Sequence, residues 1–111
     1  MQLTHKQLSR VDLVAINGRV DANTAPQLQD TLRSIFEAKR FRLVLDLNEM
    51  SYMSSAGLKV LLAALKEARR WNRGDLRLAS LQPQVHDTLN LVGLLQLFKV
   101  YPDTVEAVGS F

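Results

Sequence analysis

The chain has 111 residues, of which 47% are hydrophobic and 23% charged, and its formal net charge is +3. This composition is typical of a globular protein, and the length predicts one domain over residues 1–111. The sequence has no Cys, which excludes disulfides, thiolate zinc sites and a cysteine nucleophile, and two isolated histidines do not make a metal cluster.

The N-terminal half of the sequence alternates between strand and helix patterns. Alternating apolar residues predict two strands joined by a tight turn, and Gly18 is expected to end the second of them. Pro26 suits the first turn of a helix, where its missing N–H would have no partner, and Asn23 or Thr24 is then the N-cap. A nearly continuous apolar run after this helix predicts a central strand covered on both faces. The predicted elements are strands at residues 2–8, 11–16 and 41–47 and a helix from residue 26 to near residue 40.

The C-terminal half continues the alternation. It predicts a helix from Ser55, a strand at residues 76–79, a helix at residues 83–91, a strand at residues 98–101 and a short helix at residues 102–108. The resulting order, β-β-α-β-α-β-α-β-α, predicts the α/β class, with a mixed, mostly parallel sheet covered by about four helices. No signal peptide is predicted, and the longest apolar run, residues 60–65, is far shorter than the ~20 residues that cross a bilayer. We therefore expect a cytoplasmic protein with no membrane insertion.

Residues 46–62 run from the end of a strand into the start of a helix and carry the most informative pattern. Ser54 is placed as the N-cap, its hydroxyl oxygen accepting from the N–H of Ala56 or Gly57, and Ser55 is the first helical residue. The free N–H groups and the dipole of such a start favour anions, and two small residues let another protein come close. The alternative is that the two serines only cap the helix, since serine is common at this position. A nucleophile elbow does not fit, because Met53 stands where its first glycine should be, and no phosphate-binding or dinucleotide fingerprint implies a cofactor.

Three motifs resemble those of one family, the STAS-domain anti-sigma factor antagonists. Residues 54–58, Ser-Ser-Ala-Gly-Leu, are similar to the family's phosphorylation loop, whose commonest form is D-S-S/T-G-L before a helix. Residues 18–21, Gly-Arg-Val-Asp, followed by Thr24, resemble the G-x-[LV]-D motif between a strand and the first helix. Residues 93–95, 98–100 and 105–107 resemble the closing G-L, strand and small helix. The resemblance spans nearly the whole chain in the same element order and implies a STAS domain.

This resemblance implies a regulatory protein and not an enzyme. The unphosphorylated domain would bind an anti-sigma factor that is a serine kinase, phosphorylation of a loop serine would end binding, and a PP2C-type phosphatase would restore it. The phosphoacceptor corresponds to Ser55, with Ser54, which replaces the usual aspartate, as the alternative acceptor. A domain of this size is expected to be a monomer. The residues expected to contact the partner are Asp21, Asn23, Thr24, Asn48, Ser54, Ala56, Gly57 and Lys59.

Several of these residues have a structural interpretation as well. Asp21 equally suits a cap of the following helix, Asp46 is expected to accept from backbone donors at a strand end, and Asn48 is first a turn former. Residues 55–73 carry five basic residues against one acidic residue, which is either a solvated helix face or a docking face for an acidic partner. Trp71, near the end of this run, is expected at the edge of the core.

Two other functions remain open at this stage. One is a STAS subunit of a phospholipid-transport or signalling-scaffold complex that is never phosphorylated. The other is a small serine hydrolase that uses Ser55, although no His–Asp pair accompanies that residue in the sequence. Direct nucleic-acid binding is disfavoured, because the basic run has no recognition helix, basic arm or aromatic stacking platform.

Overall fold

Six strands form one sheet that carries four α-helices in the computed structural model, which describes residues 1–111. The strands are β1 (Gln2–Gln7), β2 (Asp12–Val20), β3 (Arg42–Asp46), β4 (Met50–Met53), β5 (Asp75–Ala79) and β6 (Val100–Tyr101). The helices are α1 (Ala25–Glu37), α2 (Ser55–Arg69), α3 (Pro83–Leu91) and α4 (Thr104–Gly109), with a short 3-10 helix at Leu95–Leu97.

The strand order is β1-β2-β3-β5-β6, and β4 pairs separately with the end of β2. The β1–β2 hairpin is antiparallel, whereas β2–β3, β2–β4, β3–β5 and β5–β6 are parallel. The parallel pairs place the carboxyl ends of the central strands at one edge of the sheet, where the following helices begin. The predicted α/β class and the mixed, mostly parallel sheet with four helices are confirmed.

The last strand is shorter than predicted, since β6 covers Val100–Tyr101 and not residues 98–101. Two further details of the predicted strands were wrong, and both lie next to the candidate site. Gly18 does not end β2, because the strand continues to Val20 through an irregularity in register between Gly18 and Arg19. Gly18 has a φ of 98°, which a glycine adopts without strain, so it bends the strand instead of stopping it. The extension pairs with β4, a four-residue strand inside the segment that was expected to be a loop.

The core lies on both faces of the sheet. Leu43 and Leu45 belong to the main cluster, together with apolar residues of α1, α2 and α3, whereas Val44 faces the smaller cluster under α4. All three side chains are fully buried, which confirms that this central strand is covered on both faces. Three helices thus cover one face and α4 covers the other.

No helix has both the length and the apolar character needed to span a bilayer.

Candidate functional site

The start of α2 is built around a serine cap. Ser54 has extended backbone, and its Oγ accepts from the N–H of Gly57 at 3.4 Å, as the sequence predicted. Ser55 is the first residue of α2 and is exposed, and its side chain makes no hydrogen bond within the chain. Two adjacent hydroxyls are therefore in different states, one held in the cap and one free at the surface.

Gly57 lets the first turn of α2 press against two strand ends. A Cβ at this position would lie 2.8 Å from Cγ1 of Val20 and 2.8 Å from Cγ of Met53, closer than real Cβ atoms come. Both neighbours are buried, so neither moves away freely. The glycine thereby fixes how deep the start of α2 sits and where Ser55 is presented.

The loop after β2 lies beside the serines because the two segments share a backbone hydrogen bond. The N–H of Ser54 donates to the carbonyl oxygen of Val20 at 2.8 Å, and Asp21 follows directly. Oδ1 of Asp21 accepts from the N–H of Asn23 at 3.0 Å and of Thr24 at 3.1 Å. Asp21 therefore orders the loop before α1, but its carboxylate accepts from no N–H of the helix itself, so the expectation that Asp21 caps α1 was wrong. Thr24 is the N-cap residue of α1, but its Oγ1 accepts from the N–H of Asp21 and donates to the carbonyl of Arg19, so it accepts from no helix N–H.

Asp21 carries a stabilised negative charge. The hydrogen bond from the Thr24 backbone N–H is the largest cause that lowers the pKa of Asp21 below 3.8, with further lowering by the Asn23 N–H and the positive charge of Arg19. The carboxylate is therefore ionised throughout the neutral range. The edge that presents Ser55 thus holds a fixed anionic group close to the serines.

Asn48 lies at the opposite end of β4 from Ser54 and Ser55. It lies in the turn before β4, whereas Ser54 follows β4, so the two are up to about 20 Å apart along extended chain. Asp46 accepts from the Asn48 N–H at 3.1 Å, and the Asn48 carbonyl accepts from Gln82 at the start of α3. These contacts match the turn-forming and strand-end interpretations of Asn48 and Asp46.

The basic run on α2 divides into structural and free charges. Arg69 donates to Asp75 at 2.9 Å and Arg70 to Glu67 at 3.1 Å, so both arginines have partners within the chain. Lys59 is exposed, forms no ion pair and follows Ser55 by one helical turn, and therefore stays available to a partner. Trp71 stacks on Phe41 with ring centroids 4.6 Å apart, but it is 43% exposed and belongs to neither core cluster, so it lies on the surface and not at the expected edge of the core.

One feature beside the site was not predicted. The guanidinium of Arg19 lies 4.3 Å from the ring centroid of Tyr52, and both residues are exposed on the paired strands β2 and β4. Arginine and tyrosine are enriched in interface hot spots, and this pair directly precedes Val20 and Met53. Arg19 and Tyr52 are partners in the β2–β4 register. Their contact could not be predicted from the sequence, because this segment was expected to be a loop.

Neither histidine contacts the serines. Nε2 of His5 lies 2.8 Å from Oδ1 of Asp12, and Nδ1 of His86 lies 3.7 Å from Oδ1 of Asp87. No group of three or more His, Cys, Asp or Glu side chains is arranged to hold a metal ion.

Comparisons with known proteins agree on one family. The STAS domain profile matches residues 2–107. BtrV of Bordetella bronchiseptica, named as a candidate anti-sigma factor antagonist, is 32% identical over 111 residues, covering 100% of this chain and 95% of the relative. An anti-sigma-B factor antagonist of Listeria monocytogenes is 27% identical, covering 90% of this chain and 86% of the relative. A crystal structure of a candidate anti-sigma factor antagonist from Thermotoga maritima superposes with a TM-score of 0.90 at 20% identity, over 97% of this chain and 92% of that one.

Proposed function

Because the chain belongs to the STAS domain family, we propose that it is an anti-sigma factor antagonist controlled by phosphorylation. In its unphosphorylated form it binds an anti-sigma factor that is also a serine kinase. That kinase phosphorylates Ser55 and so ends binding, and a PP2C-type phosphatase restores the free hydroxyl. The protein acts in the cytoplasm as a monomer and is the substrate of these enzymes.

The free, exposed hydroxyl of Ser55 at the start of α2 is the observation that carries this proposal. A kinase needs an acceptor oxygen that is accessible and not already engaged, and Ser55 meets both conditions. Ser54 is less accessible, because it is partly buried, and it is already engaged, because its Oγ accepts from the Gly57 N–H. The difference favours Ser55 over Ser54 as the acceptor, despite the loss of the usual aspartate before it.

Phosphorylation at this position leaves the fold intact. A phosphoserine adds about −1.5 to −2 charge near neutral pH. The first turn of α2 contains no acidic residue, and its unpaired N–H groups favour an anion by ~0.3–1 kcal/mol at an exposed site. Lys59, four residues on, adds an attractive charge on the same helical face. The modification therefore acts on the partner and not on stability.

The partner meets a compact surface made by the two loops. Asp21, Asn23, Ser55, Ala56 and Lys59 supply the loop and helix contacts, while the Arg19–Tyr52 pair extends the surface along the strands. Small residues allow close packing over Ser55, and a phosphate there brings bulk and a desolvation cost for the partner. Asn48, at the far end of β4, contributes only if the partner also covers that end.

A kinase assay with mass spectrometry tests the proposal. The chain and its Ser55→Ala and Ser54→Ala variants are incubated with the anti-sigma factor kinase of the same organism and ATP. We expect one phosphoryl group on the wild type and on Ser54→Ala, and none on Ser55→Ala. Phosphorylation of Ser55→Ala at the wild-type rate would assign the acceptor to Ser54. An unmodified wild type would favour the alternative of a phospholipid-transport or scaffold subunit.

The hydrolase alternative is tested with an activated ester. We expect the wild type and Ser55→Ala to leave p-nitrophenyl acetate hydrolysis at the same background rate. A rate that depends on Ser55 would overturn the proposal that the chain is a substrate and not an enzyme.

A further inference from the structure

A groove of about 780 Å³ runs between α1 and α2 on the outer side of these helices. It is lined by 17 residues, of which 10 are hydrophobic. Binding pockets for small organic molecules have volumes of roughly 300–1,000 Å³ and mostly apolar walls with a few polar groups. The groove matches that description and extends from the surface near Ser55, with which it shares Ala56 and Lys59, along both helices.

Three stacked aromatic rings line one end of the groove. Phe36 and Phe41 stack with centroids 5.8 Å apart, and Trp71 stacks on Phe41 at 4.6 Å, with interplanar angles of 13° and 15°. Lys39 lies 5.9 Å from the centroid of the Trp71 ring and covers this end. This aromatic, apolar end favours the apolar part of a ligand.

The charges on the lining are unevenly placed. Lys59 lines the groove near the start of α2 and Arg33 lines it near the middle of α1. Neither has a lining acidic partner, since Arg33 pairs only with the exposed Asp30 at 3.5 Å. The two lining carboxylates, Glu37 and Glu67, lie toward the aromatic end, and Glu67 is occupied by Arg70 and the Trp71 indole N–H. The part of the groove between Lys59 and Arg33 therefore favours an anion, and the aromatic end favours an apolar group.

We propose that this groove binds an elongated organic anion with an apolar tail, of the chemical class of a fatty acid. The carboxylate lies between Lys59 and Arg33, and the tail extends toward Phe36, Phe41 and Trp71. The helical rise from Lys59 to Trp71 gives the tail about 18 Å. The site shares Lys59 with the surface proposed for the partner, but ligand binding to the unphosphorylated chain is measured without kinase or partner, so it is tested separately from the switch.

Trp71 is the only tryptophan of the chain and lines the groove, so binding is read directly by its fluorescence. Dansylated undecanoate is titrated into the protein, and energy transfer from Trp71 to the dansyl group is recorded. We expect saturable transfer at one probe per chain, displacement by dodecanoate, and displacement about fivefold weaker by dodecanol, which lacks the charge. Equal displacement by dodecanol would overturn the anionic class, and no saturable transfer would overturn the site.

Matched variants place the ligand in the groove. Ala63→Phe fills the middle of the groove and is expected to abolish transfer, whereas Ser34→Phe, on an exposed position of α1 outside the lining, leaves it unchanged. Arg33→Gln is expected to weaken dodecanoate about fivefold, and Lys66→Gln, outside the lining, is not. Far-UV circular dichroism checks that each variant is folded. Unchanged probe binding by folded Ala63→Phe would overturn the proposal, as would a dimer that Ala63→Phe dissociates, because a second copy would then cover the groove.

Discussion

At the level of single residues, two neighbouring serines of the site have different roles. Ser54 uses its oxygen to hold the first turn of α2, and Ser55 keeps its oxygen free. A capping serine contributes to stability, whereas a free surface hydroxyl does not. The same contrast that favours Ser55 as phosphoacceptor therefore gives a measurable difference in the free energy of unfolding.

Ser54→Ala should destabilise the fold by about 1 kcal/mol, because the Gly57 N–H loses its acceptor. Ser55→Ala should change the free energy of unfolding by less than about 0.5 kcal/mol. Urea denaturation of both variants and the wild type measures these values. Equal losses would mean that Ser55 also has a structural role, which would weaken its assignment as a free acceptor.

Asp21 should make the stability depend on pH in the acid range. Its folded pKa is lowered, chiefly by the Thr24 N–H, so the ionised carboxylate stabilises the fold above the unfolded value near 3.8. That stabilisation is lost as pH falls below 3.8 and through the folded pKa. Asp21→Asn does not titrate, so the stability difference between the two proteins should be largest at neutral pH and shrink below about pH 4. A difference that stays constant down to pH 2 would contradict this role of the carboxylate.

At the scale of elements, the position of α2 depends on how closely its first turn packs on β2 and β4. Gly57 and Gly109 are both helical glycines with ordinary φ, but a Cβ meets buried side chains only at Gly57. Substitution of these two glycines therefore separates packing from helix propensity.

Gly57→Ala should lower the free energy of unfolding by about 1–3 kcal/mol, since the new methyl overpacks against Val20 and Met53. Gly109→Ala should be neutral or stabilising by up to about 1 kcal/mol, because alanine favours helix and nothing lies within 4 Å. Thermal unfolding followed by circular dichroism compares the two. A stabilised Gly57→Ala protein would show that the start of α2 is not tightly seated.

Most elements were predictable from periodicity, and the exceptions cluster at the site. The long apolar stripes of α1 and α2 and the apolar run of β3 have strong local signals. β4 has only four residues, with both outer ones buried and both inner ones exposed, so no alternation marks it. Gly18 was taken for a strand breaker, but its positive φ creates a bulge whose meaning depends on the pairing of β2 with β4. The Arg19–Tyr52 pair and the groove between α1 and α2 arise from tertiary packing, which the local sequence does not encode.

At the scale of the whole molecule, a buried carboxylate ties three parts of the chain together. Asp12 in β2 is fully buried, and its oxygens accept from His5 of β1 at 2.8 Å and from Arg40, which follows α1, at 2.5 Å. Arg40 also donates to the carbonyl of Leu8 in the β1–β2 turn at 2.6 Å. The edge hairpin is thus anchored to the end of the first helix, away from the switch.

Asp12→Ala should cost about 2–3 kcal/mol, somewhat less than the 3–5 kcal/mol for a fully buried pair, because Arg40 keeps part of its side chain in solvent. The control is Asp30→Ala, which removes an exposed pair with Arg33 and should cost no more than about 1 kcal/mol. Urea denaturation of both variants provides the comparison. Similar small losses would show that the Asp12 cluster does not hold the hairpin.

Charge on Ser55 is expected to control partner binding without unfolding the domain. Isothermal titration of the anti-sigma factor kinase with wild type, Ser55→Asp and the exposed-site control Ser34→Asp tests it most directly, with circular dichroism of each protein. We predict that Ser55→Asp loses at least about 100-fold in affinity, equivalent to about 2.7 kcal/mol, while Ser34→Asp binds as the wild type and all three proteins stay folded. Wild-type affinity for folded Ser55→Asp, or unfolding of that variant, would contradict the account.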